Sequence, residues 1–230
     1  MYITAIIPAA GMGSRMEMRK NKLYIDLNGK PVLYYTLKKF IRNSFIEKVV
    51  VVLQDGEEEH FKKEIFSLLG DKKKKIVTVI GGRTRKESVF NGIKAVPKIT
   101  DYIIIHDGAR PLVTNNIINN VIGGLEEEEA ITTGVKVKDT IKIKDHNNYV
   151  VKTVNRDNLV IIQTPQAFDY ELIKEAHQNK FFDENITDDA YLIELMNKKV
   201  KIIEGSYQNI KITTKIDITI AEKILKSRRE

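Results

Sequence analysis

The chain of 230 residues is 42% hydrophobic and 30% charged, enough apolar material to bury a core in a single α/β domain without help from metal or disulfides. It has no cysteine, which excludes disulfides, thiolate metal sites and cysteine nucleophiles, and no stretch approaches the roughly 20 apolar residues of a membrane span. The formal charge of +7 invites a nucleic-acid reading. However, the lysines are spread along the chain and the one dense run, Lys72 to Lys75, has no aromatic companions, so a solvated surface is expected, with neither nucleic acid nor membrane as partner.

An apolar run predicts a first strand over Ile3–Ala9, which breaks at once into Gly11-Met12-Gly13-Ser14-Arg15-Met16, with Lys22 seven residues after Arg15. The run lacks a basic leader and continues into charged residues, so it reads as a strand rather than a secretory signal, and a cytoplasmic protein is expected. A strand opening into a glycine turn exposes backbone N–H groups where a polyphosphate can sit, and Arg15 and Lys22 can offset its charge. Met16 stands where the dinucleotide fingerprint needs its third glycine, and no P-loop lysine-serine pair follows. Nicotinamide, flavin and P-loop chemistry are therefore not expected.

Pro31 opens a helix carrying Leu33, Leu37, Phe40 and Ile41 at helical spacing. Strands are predicted over Lys48–Leu53, Lys75–Ile80, Tyr102–His106, Ala130–Val135, Val160–Gln163 and Lys201–Ile203. Between and after them, helices are predicted over Glu57–Leu69, Thr84–Ala95, Asn115–Glu129, Tyr170–Asn179, Asp188–Asn197 and Asp217–Lys226. This alternation implies βαβ units and a mostly parallel sheet. One segment departs from it: alternating residues on either side of Asp145-His146-Asn147-Asn148 predict a β-hairpin, marginal alone and expected to pack against a second subunit.

Two strand ends carry chemistry. Asp107, within His106-Asp107-Gly108-Ala109-Arg110-Pro111, is a carboxylate at a strand's carboxyl edge and a candidate Mg²⁺ ligand, with Arg110 suited to clamp a phosphate. His106 is read as packed or hydrogen-bonded. Gly81-Gly82 would let a flat base approach the backbone, with Ser88 offering a polar contact.

These segments, together with Pro8-Ala9-Ala10, Glu87-Ser88-Val89, Asp139-Thr140-Ile141-Lys142, Gln163-Thr164-Pro165-Gln166, Thr187-Asp188-Asp189-Ala190 and Asn209-Ile210-Lys211, resemble the 2-C-methyl-D-erythritol 4-phosphate cytidylyltransferases. The set runs in order from residue 8 to 211. The resemblance implies a single nucleotidyltransferase domain over residues 1–230: a Rossmann-like, mostly parallel twisted sheet with helices on both faces, and a projecting arm at about 137–155 used for dimerisation. It implies transfer of CMP from CTP to a sugar-alcohol phosphate, with Mg²⁺ as cofactor and a homodimer as the active unit. Ala9, Ala10, Gly11, Gly82 and Ser88 would hold the cytosine and ribose end of CTP, and Gly13, Arg15 and Lys22 its phosphates. Asp107 would hold the metal, and Arg110, Thr164, Thr187 and Lys211 would face the sugar phosphate. Thr140 and Arg156 would reach it from the partner's arm, and Arg15, Lys22 and Lys211 would be catalytic.

A ribitol-5-phosphate cytidylyltransferase would share the nucleotide half but tends toward Leu-Ala-Gly-Gly at the first strand end, unlike Pro8-Ala9-Ala10-Gly11. A non-catalytic nucleotide- or RNA-binding module would account for the charge and glycine turn, but not for the other candidate residues. Three positions depart from the resembling enzymes. Asn21-Lys22-Leu23 stands for their usual Pro-Lys-Gln, which is expected to loosen the loop carrying Lys22; Lys86 replaces glutamine or alanine, and Gln208 a frequent aspartate.

Overall fold

The computed structural model describes residues 1–11, 21–179 and 186–228. In chain order the elements are β1 (Ile3–Pro8), β2 (Asp26–Leu27), β3 (Lys30–Pro31), α1 (Val32–Arg42), β4 (Ile46–Leu53), α2 (Glu58–Glu64), β5 (Ile76–Ile80), α3 (Arg85–Lys94) and β6 (Tyr102–Ile105). Then come α4 (Asn115–Gly124), β7 (Ala130–Lys136), β8 (Lys142–Lys144), β9 (Val150–Thr153), β10 (Val160–Asp169), α5 (Tyr170–Gln178), α6 (Asp189–Leu195), β11 (Lys201–Glu204) and α7 (Lys215–Ser227).

Seven strands form one sheet in the order β11-β7-β10-β6-β1-β4-β5. All neighbouring pairs are parallel except the two that β10 makes, antiparallel to both β6 and β7. Strand pleating divides the apolar residues between two cores. Ile3, Ala5 and Ile7 of β1 face one side, against Leu37 and Phe40 of α1, Phe61 of α2, Ile118 of α4 and Leu225 of α7. Ile6 faces the other, with Val89 and Ile93 of α3, Ile173 of α5 and Ile193 of α6. Helices therefore cover both faces, and the carboxyl ends of β1, β4, β5 and β6 emerge together at one edge, where open α/β sheets hold ligands.

Four elements differ from the sequence reading. The strand read as Val160–Gln163 runs on to Asp169, because Pro165, with no N–H for the ladder, sits in a register shift between Gln163 and Gln166. The helix read over Glu57–Leu69 stops at Glu64 and gives way to a 3-10 helix, Phe66–Lys75, kinked at Gly70 with φ +64. The helix read over Asn115–Glu129 ends at Gly124, ahead of four consecutive glutamates whose like charges oppose its continuation. The short β2–β3 pair was not foreseen, although Asn28-Gly29, with φ of +51 and +83, is a strong two-residue hairpin signal. The hairpin β8–β9 forms, outside the main sheet.

Candidate active site

Two cavities adjoin at the carboxyl edge. The larger, about 480 Å³, lies between the β1 end (Ala10, Gly11), Lys22, and the β5–α3 turn with Gly82 and Ser88. The smaller, about 380 Å³, is bounded by Arg110, Thr164, Thr187 and Asp188, with Tyr191 and Glu194 of α6. Arg85, Asp107 and Lys211 line both and form the seam between them.

Asp107 is the centre of the seam. Its backbone N–H donates to Thr164 Oγ1 at 3.0 Å, and the next residue is tied back to β1 by Gly108 N–H to the Pro8 carbonyl at 3.3 Å. Around its carboxylate stand Lys211 Nζ at 2.8 Å, Arg110 Nε at 3.6 Å and Arg85 Nε at 3.8 Å. Burial alone would push this carboxyl up; Lys211, Arg85 and Arg110 outweigh it and hold the group well below the usual carboxylate range. It is therefore ionised at neutral pH and set in an excess of positive charge.

Arg110 is carried by the turn after β6, its N–H donating to the Asp107 carbonyl at 3.0 Å and its Nη1 to the Asn209 carbonyl at 2.8 Å. Its Nε is buried and makes no hydrogen bond among the described residues, but faces Asp107 Oδ2 at 3.6 Å, and the arginine lines the smaller cavity. Lys211 is placed by its neighbours: Asn209 Nδ2 donates to the Thr164 carbonyl at 2.8 Å, and Ile212 N–H to the Ala109 carbonyl at 2.9 Å.

Arg85 was not singled out by sequence, because an arginine in the first turn of a helix reads as a surface cation. Its Nη2 donates to Asp189 Oδ2 at 2.6 Å, and the fully buried Asp189 also meets His177 Nε2 at 3.2 Å. Gln166 Oε1 accepts from the N–H groups of Asp189 and Ala190, while its Nε2 donates to Asp188 Oδ2 at 2.6 Å. The first turn of α6, beside Thr187, is thus locked to the same arginine that faces Asp107.

His106 is structural. Its Nε2 donates to the Arg110 carbonyl at 3.1 Å, which leaves Nδ1 to accept from Thr164 Oγ1 at 3.2 Å. Complete burial pushes its pKa down to about 4, so it is neutral at pH 7. The Thr164 hydroxyl, read as a substrate contact, lies at the smaller cavity but is committed to Asp107 and His106.

Ala10, Gly11, Lys22, Gly82, Ser88, Asp107 and Lys211 meet at the larger cavity, and Arg110 and Thr187 at the smaller. Ala9 does not join them: its methyl is in the core, its N–H donates to the Val52 carbonyl at 2.8 Å, and its carbonyl accepts from Asn21. Thr140 and Arg156 are exposed on the hairpin side and line neither cavity of their own chain. Gly13 and Arg15 lie outside the described residues. The glycines at the β5 end are required first by packing. A Cβ at Gly82 would lie 2.3 Å from that of Glu87, and one at Gly81 2.6 Å from that of Ala10.

Among the described residues no three His, Cys, Asp or Glu side chains gather to hold a metal unaided. One ionised carboxylate beside an anion site fits Mg²⁺ only as an ion shared with substrate phosphates and water, the usual habit of that cation.

A glycine turn and a cation-ringed carboxylate at the carboxyl edge of a mostly parallel sheet define a nucleotidyltransferase. The comparisons narrow the class: residues 3–227 match the IspD family, 2-C-methyl-D-erythritol 4-phosphate cytidylyltransferase, and the chain belongs to it. It is 46% identical to the enzyme of that name from Clostridium beijerinckii over 226 residues, 98% of this chain and 99% of that one. It is also 46% identical to the one from Alkaliphilus oremlandii, over 99% of this chain and 96% of that one. The crystal structure of 4-diphosphocytidyl-2C-methyl-D-erythritol synthase from Anaerococcus prevotii superposes with a TM-score of 0.84 at 37% identity, covering 98% and 96% of the two chains. The Thermus thermophilus 2-C-methyl-D-erythritol 4-phosphate cytidylyltransferase gives 0.80 at 28%, covering 98% and 100%.

Proposed function

We propose that the two cavities divide one reaction between them: the larger receives CTP, the smaller the phosphate of 2-C-methyl-D-erythritol 4-phosphate, and the seam receives the α-phosphorus. A sugar-phosphate oxygen attacks that phosphorus, a new P–O–P linkage forms, and pyrophosphate leaves, giving 4-diphosphocytidyl-2-C-methyl-D-erythritol. The observation that carries this reading is the seam itself, where Arg85, Lys211 and Asp107 belong to both cavities.

A phosphate monoester loses its second proton near pH 6, so the nucleophile is already a dianion at neutral pH and needs no general base. This suits a site whose one histidine is buried, neutral and bonded at both ring nitrogens. The obstacle is repulsion between anions, roughly 4 kcal/mol for unit charges about 4 Å apart at an effective dielectric of 20, or a factor of about a thousand in rate. Lys22 and Arg15 offset charge on the triphosphate, Arg110 and Thr187 hold the attacking phosphate, and Lys211 stands between them. Asp107 and the substrate phosphates would hold Mg²⁺, which when bound supplies charge neutralisation on the phosphoryl oxygens.

The active unit in this reading is a homodimer. Ile143, Tyr149, Val150 and Val151 of the hairpin region are 48 to 73% exposed, an apolar surface that suits a partner subunit, and Thr140 and Arg156 would complete its smaller cavity. The cytoplasm is its expected setting; among the described residues no helix is long and apolar enough to cross a membrane.

Pyrophosphate release with CTP and a panel of sugar phosphates tests the reading. Turnover is expected with 2-C-methyl-D-erythritol 4-phosphate. Preference for ribitol 5-phosphate would overturn the acceptor, and salt-sensitive RNA binding without turnover would overturn catalysis altogether.

A further inference from the structure

We propose that Asn21 is a positioning residue for Lys22, anchoring the lysine's turn to the end of β1, which walls the larger cavity, and to the residue that precedes α2. Lys22 opens a single 3-10 turn, Lys22–Tyr24, capped by Asn21. Both ends of the Asn21 amide are engaged. Its Oδ1 accepts from Leu23 N–H at 3.1 Å. Its Nδ2 donates to the Ala9 carbonyl at 3.1 Å and to both Glu57 oxygens, at 3.1 and 3.2 Å. One amide thus joins the turn to the end of β1 and to the residue that precedes α2.

Both anchors are tied into the fold through their backbones: Ala9 N–H donates to the Val52 carbonyl of β4, and the Glu57 carbonyl accepts from Phe61 N–H at 2.8 Å, with Phe61 fully buried. On the far side of the lysine, Leu23 is 3% exposed and sits in the core, close to Gly108 of the Asp107 turn. The lysine's backbone is therefore fixed on both flanks relative to Asp107. That matters because a lysine is a point charge on a four-carbon stem, and small misplacements in a phosphoryl-transfer site cost rate out of proportion. At the Asn21 departure the asparagine supplies by hydrogen bonds a tether that a proline ring would supply covalently. Indeed φ at residue 21 is −58°, within the range proline fixes.

This inference rests on Lys22 acting on the CTP phosphates, and the experiment separates the two. Steady-state pyrophosphate release is measured for the full chain and for N21A, N21S, N21P, K22A and the double variant N21A/K22A, with folding followed by circular dichroism. N21A is expected to lower kcat about tenfold and to raise KM for CTP more than KM for the sugar phosphate. N21P is expected to recover most of that loss, and N21A should have no further effect on turnover in the K22A background. If N21A does not fold, N21S, which keeps a capping oxygen but loses both anchors, carries the same expectation. Wild-type kinetics for N21A beside a crippled K22A would overturn the role of Asn21 and leave Lys22 in place. An additive double variant, or N21P no better than N21A, would reduce Asn21 to a stability residue and overturn the proposal. An active K22A would instead remove Lys22 from the chemistry, and the inference with it.

Discussion

Lys211 Nζ stands 2.8 Å from Asp107 Oδ2, nearer than either arginine, and the pair spans the seam between the cavities. The lysine is the more exposed partner, at 41% against 12%, so it is the one free to turn toward an incoming phosphate. Asp107→Asn is expected to keep the fold, since its N–H to Thr164 is a backbone bond, yet to cut turnover about a hundredfold or more, as loss of a preorganised charge does. Titrating Mg²⁺ into the variant in a pyrophosphate-release assay checks it: an unchanged magnesium requirement and unchanged kcat would take Asp107 out of the reaction.

The roles proposed for Lys22 and Arg15 toward the triphosphate give a second prediction. Lys22→Ala and Arg15→Ala should each reduce kcat by about a hundredfold while the circular dichroism spectrum is preserved. Near-normal turnover in both would mean that the repulsion between CTP and the sugar phosphate is offset elsewhere.

Much of this site was legible because it is local. The strand ends at Pro8 and Ile105 announce themselves by apolar runs that stop at glycine turns, so Gly11, Gly82 and Asp107 could be placed on one edge by the α/β pattern alone. What was not legible is what the chain brings together across long separations. Arg85 and Asp189 are 104 residues apart, and neither looks unusual in its own segment; only the fold, which brings the first turns of α3 and α6 together, makes them a partly buried pair. Thr164 was visible as part of a motif, but its task, holding the backbone of Asp107, depends on β10 passing antiparallel beside β6. Ala9 was visible in the same way, but that its methyl belongs to the core while Pro8 and Ala10 line the cavity could be read only from the packing.

The Arg85–Asp189 pair gives a pH prediction. Asp189 is wholly buried, and burial opposes its charge, but Arg85 and His177 outweigh that and hold its pKa below the ordinary carboxylate value. A lowered folded value means the stabilisation is fully present above the unfolded pKa of about 3.9 and is lost as pH falls through the folded value. Asp189→Asn should therefore cost about 3 kcal/mol at pH 7, because Arg85 loses its closest partner, and should flatten the acid limb below pH ~4. Urea unfolding at neutral and acid pH reads both effects. A variant as stable as the parent at pH 7, with the same acid limb, would show that the pair contributes nothing.

The hairpin supplies the last prediction, since Thr140 and Arg156 are of use to catalysis only if a second subunit presents them. In an isolated chain the pair β8–β9 is a two-stranded ribbon with Val150 and Val151 63 and 65% exposed, a surface that should be covered for the ribbon to be stable. If each cavity is completed by the other subunit's Arg156, Arg15→Ala and Arg156→Ala chains fail separately for different reasons. Mixed and allowed to exchange, they form heterodimers in which one site carries both lesions and the other carries neither. With random pairing, roughly a quarter of wild-type activity should return, half of the dimers being mixed and each having one intact site. The measurement is turnover after co-refolding at equal concentration. Recovery near zero, with exchange verified by mass, would place Arg156 in the service of its own chain and leave the shared site without support.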